Sequence, residues 1–173
     1  MAETRWAAFL RGVNVGGIKV TSAALRECLS EVGLSDVGTV LASGNAVFGS
    51  SGRAATIKRD VEQALRQTFG YDAWIVLFDA DEVHAAIDGC TLQPKDGWHT
   101  YFLLGSDDAV LDELADSCPD DEPLARGPRV LYWQVREGET LSTPFAKVLA
   151  KRRYKESTTM RNARTMAKVA ALL

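Results

Sequence analysis

Three short segments carry the cationic and hydrogen-bonding groups that an anion-binding site needs. Residues 11–19, RGVNVGGIK, place Arg11 and Lys19 at the two ends of a glycine-rich loop, where backbone N–H groups before a helix can hold a phosphate. Residues 43–45 are Ser-Gly-Asn, and residues 159–165, TMRNART, combine arginines with hydroxyl groups, which suits phosphate or carboxylate. The candidate residues for an anionic ligand are Arg11, Asn14, Gly16, Gly17, Lys19, Ser43, Asn45, Thr159, Arg161, Asn162 and Thr165.

Each of these segments also has a structural interpretation that the sequence leaves open. Gly and Asn residues commonly form tight turns, so the first two segments could simply reverse the chain, with Asn14 bonding to its own turn. In the third segment, Thr159 or Asn162 could cap a helix while the arginines face solvent. The first segment also differs from a Walker A loop, because Ile18 stands between the glycines and Lys19, and it contains no G-x-G-x-x-G fingerprint.

The leading functional hypothesis is a binding module for a small ligand with a phosphate or carboxylate group. The ligand would lie in a cleft between the glycine-rich loop and the C-terminal Arg/Asn motif, which requires the fold to bring distant segments together. An enzyme acting on such a ligand is an alternative, in which Lys19 or Arg161 would stabilise negative charge and Asp79 or Glu156 would supply an acid. Neither histidine has a Cys, Asp or His neighbour at ligand spacing, and no G-x-S-x-G elbow occurs, so no metal and no cofactor are predicted.

Charge is unevenly distributed along the chain of 173 residues. The whole chain carries 20 Lys and Arg and 23 Asp and Glu, a net charge of −3. Residues 144–173 hold eight of the basic residues and a single acid, Glu156, which leaves twelve basic and 22 acidic residues elsewhere. The segment therefore has a net charge of +7 and the remainder −10. Such a basic segment either pairs with the acidic body or binds an external anion.

Single-stranded nucleic acid is therefore a second alternative ligand. Sheets covered by two helices also occur in RNA-recognition domains, where exposed aromatic side chains stack on bases. The aromatic signature run of those domains is absent here, and Phe48, Tyr132 and Trp133 could equally be core residues. In this alternative an exposed positive surface should be formed by Lys151, Arg152, Arg153, Lys155, Arg161 and Arg164.

The composition is that of a globular protein, with 46% hydrophobic and 25% charged residues. The three cysteines are odd in number and far apart, so they predict no disulfide framework and favour a reducing cytoplasm. The longest apolar runs, such as residues 73–78, have the length of a strand and fall short of the ~20 residues that cross a bilayer. We therefore expect a cytoplasmic protein without membrane insertion, and the oligomeric state is left open.

Hydrophobic periodicity predicts the order β-α-β-β-α-β over the first 80 residues. This is the ferredoxin-like plan, in which two helices cover one face of a four-stranded antiparallel sheet. One predicted helix lies between a cap at Thr21 or Ser22 and a stop at Gly33. The other predicted elements are strands at 4–11, 37–42, 46–49 and 73–78 and a helix at 54–69.

The second half is predicted to repeat part of this plan and to end in C-terminal helices. A strand near residues 122–125 would be needed for the repeat. The other predicted elements are a connecting helix at 79–88, strands at 98–104 and 129–136, and helices at 109–114, 144–154 and 164–172. The predicted fold class is thus α+β with two subdomains, divided into residues 1–80, a connecting helix and linker at 81–97, and residues 98–173.

The three segments taken together resemble one protein family. LRGVNVGG at residues 10–17, SGNAVF at 43–48 and TMRNART at 159–165 are similar, in this order, to the motifs of the bacterial domain-of-unknown-function family numbered 1697. The family has Trp where this chain has Ala163. The resemblance implies an uncharacterised cytoplasmic protein with an α+β fold of two subdomains, and it implies no reaction.

Overall fold

The computed structural model describes residues 2–14, 16–41 and 44–173. Contacts within the chain divide it into two compact units, of which the first comprises the residues up to Val83 together with Ala167–Leu173. The second unit is His84–Met166. The division predicted from the sequence assigned all of residues 98–173 to the second subdomain, whereas their last seven residues group with the first unit.

The first unit contains the predicted β-α-β-β-α-β arrangement. Its sheet has the strand order β2-β3-β1-β4, and every neighbouring pair is antiparallel, which confirms the predicted ferredoxin-like plan. A further helix, α3, follows the last strand and continues into the second unit. The elements are β1 (Thr4–Arg11), α1 (Ser22–Glu31), β2 (Ser35–Val40), β3 (Asn45–Ser50), α2 (Ala54–Phe69), β4 (Trp74–Asp79) and α3 (Ala80–Asp88).

One face of this sheet packs against both α1 and α2. Trp6, Ala8 and Leu10 alternate along β1, so their side chains point to the same face of the sheet. They form one buried cluster with Leu25 of α1 and Leu65 of α2. Because a fully buried leucine contributes about 1.5 to 3 kcal/mol, this apolar layer holds the two helices on the sheet.

Residues 167–173 contact the strands of the first unit. Arg5 on β1 donates a hydrogen bond from Nη2 to the carbonyl oxygen of Leu172, at 3.1 Å. A Cδ atom of Leu172 also lies 3.8 Å from the position that a Cβ atom on Gly38 of β2 would take. The first unit is therefore built from two separate stretches of the sequence.

The second unit repeats the whole plan rather than part of it. Its sheet has the order β6-β7-β5-β8, which is the order of the first sheet, and its neighbouring strands are again antiparallel. The elements are β5 (Trp98–Gly105), α4 (Asp108–Asp116), β6 (Leu124–Gly127), β7 (Val130–Arg136), α5 (Pro144–Leu149), a 3-10 helix (Arg152–Tyr154), β8 (Thr158–Asn162) and α6 (Ala163–Ala170).

The sequence did not predict strand β8: for residues 158–162 it gave only a helix cap at Thr159 or Asn162, as one of two open interpretations. Two β-branched residues, Thr158 and Thr159, favour an extended backbone, and Thr159 pairs with Leu104 on β5. The Thr158 hydroxyl donates to the carbonyl of Tyr154 at 2.8 Å, which fixes the start of the strand. The predicted helix cap exists nevertheless, because Asn162 caps α6, which begins one residue later.

The basic helix predicted at residues 144–154 is interrupted. Helix α5 ends at Leu149, and the backbone of Lys151 is extended, with φ −64° and ψ 137°. The chain then forms the 3-10 turn that inserts the Tyr154 ring into the core, where it is 2% exposed. Burial of this ring outweighs the helix propensity of the Lys and Arg residues before it.

Candidate functional site

The glycine-rich loop of the first unit is closed by its own asparagine. Asn14 has a left-handed backbone, with φ +56°, and its Oδ1 accepts a hydrogen bond from the Val20 N–H at 3.1 Å. Gly16 and Gly17, both exposed, also have positive φ, at +59° and +84°, which a residue with a side chain adopts only with strain. The turn interpretation of this segment therefore accounts for Asn14 and both glycines.

The two cations of this loop differ in exposure. Arg11 is half-buried at the end of β1, and burial lowers the pKa of its guanidinium below the ordinary value of an arginine. Lys19 is exposed to solvent just before α1. Lys19 is thus the more exposed of the two cations at this loop.

The second motif lies at the same end of the first sheet as the glycine-rich loop. Asn45 is 3% exposed, and its Nδ2 donates to the Val40 carbonyl at 3.0 Å across the β2–β3 hairpin. The Leu10 N–H donates to the Gly44 carbonyl at 2.9 Å, one residue before Arg11. Ser43, also a candidate, lies outside the described residues. Asn45 thus has a structural role in the hairpin.

The third motif spans the end of β8 and the start of α6 in the second unit. Arg161 donates from Nη1 to the Thr159 hydroxyl at 2.7 Å and to the Met160 carbonyl at 2.8 Å. Asn162 accepts a hydrogen bond on Oδ1 from the Thr165 N–H at 2.8 Å, which is the cap of α6. Thr159 and Thr165 are buried, whereas Asn162 is exposed and retains its amide N–H groups toward solvent.

A cleft of about 500 Å³ lies beside this motif, within the second unit. Tyr101 on β5 pairs with Asn162 on β8, so the antiparallel arrangement brings the start of β5 next to the start of α6. We call this cleft the Trp98 cleft. Its lining residues are Pro94, Lys95, Asp96, Trp98, His99, Thr100, Asn162, Ala163 and Arg164. The position where the resembled family has Trp is thus a small alanine on the wall of the cleft.

Cations surround the indole of Trp98. Lys95 Nζ lies 4.2 Å from the centre of the Trp98 ring, and Arg136 Cζ lies 5.3 Å from it. Both distances are within the range of cation–π attraction. Arg164, near the start of α6, is exposed and also lines the cleft, and His99 Nε2 is 4.0 Å from a carboxylate oxygen of Glu137. The cleft therefore combines two cations, Lys95 and Arg164, and one acid, Asp96, with an aromatic surface.

A second cleft, of about 410 Å³, also has Trp98 on its wall, together with Arg136 and three acidic side chains. One of these acids, Glu122, is fully engaged in the fold. Its Oε2 accepts from the Trp133 indole N–H at 2.9 Å, and its Oε1 accepts from the Phe145 N–H at the start of α5, at 3.0 Å. The carboxylate thus joins the core to a helix end.

The residues of the enzyme alternative have other roles in this structure. Asp79 accepts on Oδ1 from the Glu82 N–H at 2.8 Å, and its own N–H donates to Glu82 Oε2 at 2.9 Å. This reciprocal pair is a capping box at the start of α3. Glu156 is exposed between the 3-10 helix and β8. Within residues 2–14, 16–41 and 44–173, no group of three His, Cys, Asp or Glu side chains could hold a metal ion.

The aromatic side chains considered for base stacking belong to the two cores. Phe48, Tyr132 and Trp133 are each 0% exposed. Tyr132 donates its hydroxyl to the Ala86 carbonyl at 2.7 Å, and the Trp133 ring packs 5.6 Å from Phe145. These residues cannot stack on a base without unfolding of the core.

Comparison with known proteins gives the same fold and names no activity. Residues 3–132 match the family described as "Protein of unknown function (DUF1697)". The conserved bacterial protein SP0830 from Streptococcus pneumoniae is 28% identical in sequence and has a similar structure, with a TM-score of 0.82 over 99% of each chain. No curated protein matches the sequence. In the described part of the chain, no helix is long and apolar enough to cross a membrane. Because the family match covers three quarters of the sequence, this chain belongs to the DUF1697 family.

Proposed function

We propose that this protein binds a small ligand with a phosphate or carboxylate group in the Trp98 cleft. The observation that carries the proposal is the position of the third sequence motif on the wall of this cleft, which Lys95 and Trp98 also line. An arginine and an asparagine of that motif, Arg164 and Asn162, are exposed there. The cleft is also large enough, at about 500 Å³, for a small organic anion.

The cleft offers three kinds of interaction to such a ligand. Lys95 and Arg164 supply positive charge, and a guanidinium can bind a phosphate or a carboxylate through two parallel hydrogen bonds. Asn162 can donate from Nδ2 while its Oδ1 stays bonded to the Thr165 N–H. The ring of Trp98 gives the organic part of the ligand an apolar wall. The candidates of the first unit, Arg11, Asn14 and Lys19, stay a prediction.

A thermal-shift screen tests this proposal, with inorganic phosphate, sugar phosphates, nucleotides and dicarboxylates as probes. A ligand at 100 times its Kd adds about 2.7 kcal/mol of stability. For a chain of this size, that amount raises the melting temperature by roughly 5 to 11 °C. Probes that shift the temperature are then titrated calorimetrically against Arg164→Gln and Lys95→Gln.

Arg53→Gln is the matched control, because Arg53 is an exposed cation that lines neither the cleft nor the C-terminal basic segment. Since a hydrogen bond to a charged group contributes about 1.5 to 3 kcal/mol, each cleft variant should weaken binding by about 10- to 150-fold. The control should bind as the unaltered protein does. The proposal fails if no probe shifts the melting temperature, or if the control loses as much affinity as the cleft variants.

A further inference from the structure

The segment from α5 to the 3-10 helix presents cations on one side and aromatic anchors on the other. Phe145 and Tyr154 are 0% and 2% exposed, so both ends of the segment are fixed in the core of the second unit. Between and beside them, five basic side chains are exposed within nine residues, namely Lys147, Lys151, Arg152, Arg153 and Lys155. The positive charges therefore stand on an ordered surface and not on a loose tail.

Only one of these five cations is neutralised within the described residues. Arg153 forms an ion pair with Glu113, and its guanidinium lies 4.7 Å from the centre of the Tyr154 ring. The other four make no ion pair in the part of the chain that the structure describes. We call them the basic surface, and they are Lys147, Lys151, Arg152 and Lys155.

This arrangement has an energetic cost in the isolated protein. Lys147, Lys151, Arg152 and Lys155 lie within nine residues, and like charges so close in sequence repel one another. The segment has a single acid, Glu156, whose one negative charge cannot balance the charge of four cations. A polyanion that lies along the surface would remove this repulsion and release its own counterions.

We infer that the basic surface binds the phosphate backbone of a single-stranded nucleic acid, without reading its sequence. The backbone is extended at Lys151, between α5 and the 3-10 helix, so the four cations are distributed over two short elements and not along one helix. A flexible single strand can adapt its backbone to such an irregular surface, whereas a duplex, with a persistence length of ~150 base pairs, is too stiff to do so. Because Tyr154 is buried, the surface offers no ring for stacking, and binding must be electrostatic. This inference does not rest on the Trp98 cleft.

The salt dependence of binding can be worked from the number of cations. Neutralising four phosphates of a single strand gives a slope of log K against log salt of about −2.8. Affinity should therefore fall about 50-fold when the salt concentration rises from ~50 to ~200 mM. Removal of one cation, as in Lys151→Gln, should reduce the slope to about −2.1.

Fluorescence anisotropy with a labelled 20-nucleotide oligothymidine measures this slope on the full chain. In one variant the four cations of the basic surface are replaced by Gln. The matched control replaces four exposed cations elsewhere and has the same net charge; its changes are Arg26→Gln, Arg53→Gln, Arg59→Gln and Lys168→Gln. Circular dichroism verifies that both variants are folded.

The expected result is at least a tenfold loss of affinity at ~50 mM salt for the surface variant and less than a threefold change for the control. Equal losses in the two variants would overturn the inference, because net charge alone would then explain binding. Tighter binding to a duplex of the same length would overturn the assignment to a single strand. If the protein also binds vesicles of anionic phospholipid, and the surface variant loses that binding as much as it loses oligothymidine binding, the surface belongs to a membrane contact instead. Absence of oligothymidine binding by the unaltered protein at ~50 mM salt would also refute the inference.

Discussion

Replacing Glu122 by alanine should destabilise the second unit far more than its surface position suggests. The carboxylate lies on the wall of the second cleft, yet each of its oxygens accepts one hydrogen bond. The donors are the indole N–H of Trp133 at 2.9 Å and the backbone N–H of Phe145 at 3.0 Å. Because both of these residues are 0% exposed, Glu122→Ala leaves the two donors without their acceptor in the core.

The size of the loss follows from these two bonds. A buried donor that loses its partner costs about 1 to 3 kcal/mol. Loss of a negative charge at the N-terminus of α5 adds about 0.3 to 1 kcal/mol. Because two donors are affected, we expect a total destabilisation of about 2 to 7 kcal/mol, which for a chain of this size lowers the melting temperature by roughly 4 to 28 °C. The stability of Glu122→Gln should lie between those of the unaltered protein and Glu122→Ala, since the amide keeps one acceptor oxygen but turns an N–H toward the other donor.

Urea unfolding followed by tryptophan fluorescence and circular dichroism measures this difference. Asp121→Ala is the control, because Asp121 is the exposed neighbour of Glu122 and lines the same cleft. Surface substitutions of this kind normally change stability by less than about 0.5 kcal/mol. Equal effects of Glu122→Ala and Asp121→Ala would show that this carboxylate does not join the Trp133 core to α5.

Three further changes test other parts of the second unit. Asn162→Ala removes the acceptor for the Thr165 N–H and should cost about 1 kcal/mol in urea unfolding, since it deletes the cap of α6; an unchanged midpoint would contradict this. Gly105→Ala places a Cβ atom 2.7 Å from Leu111 Cγ, and such overpacking should lower the free energy of unfolding by about 1 to 3 kcal/mol. A stability equal to that of the unaltered protein would show that β5 and α4 can move apart. Burial raises the pKa of the Cys118 thiol to about 11. The rate of its alkylation, measured by mass spectrometry of the labelled peptide, should therefore be low at pH 8 and should still increase with pH above pH 9. A rate that stops increasing below pH 9 would contradict the burial of this thiol.

Local patterns predicted most of the first unit, because its elements are strongly periodic and clearly bounded. The observed bounds of β1 and α2 are the predicted ones, at Thr4–Arg11 and Ala54–Phe69. Strand β8 was not predicted, because its residues, TTMRN, include only one apolar side chain and are otherwise mostly Thr and Asn, which favour helix caps. The predicted helix cap at Asn162 is nevertheless present, because this residue caps α6, the helix that follows.

The Trp98 cleft could not be predicted from local patterns. Lys95 and Trp98 come from a linker and the start of β5, more than 60 residues before Arg164 in the sequence. They share a cleft only because β5 pairs with β8, and pairing between strands so distant leaves no periodic signal in either segment. Among the candidates that the sequence did give, Asn45 and Thr165 are explained by buried structural roles, as the alternative interpretations allowed.

The split of the first unit across the sequence has a consequence for biosynthesis. Its strands up to Val83 leave the ribosome first, but Ala167–Leu173, which also belong to this unit, follow only after the 83 residues of His84–Met166. At about 5 to 20 residues per second, that interval lasts roughly 4 to 17 s. The carbonyl of Leu172 that accepts the bond from Arg5 is absent throughout this time. The continuous second unit can therefore be completed before the first, and the nascent N-terminal sheet is the part of the chain that a chaperone would encounter unfinished.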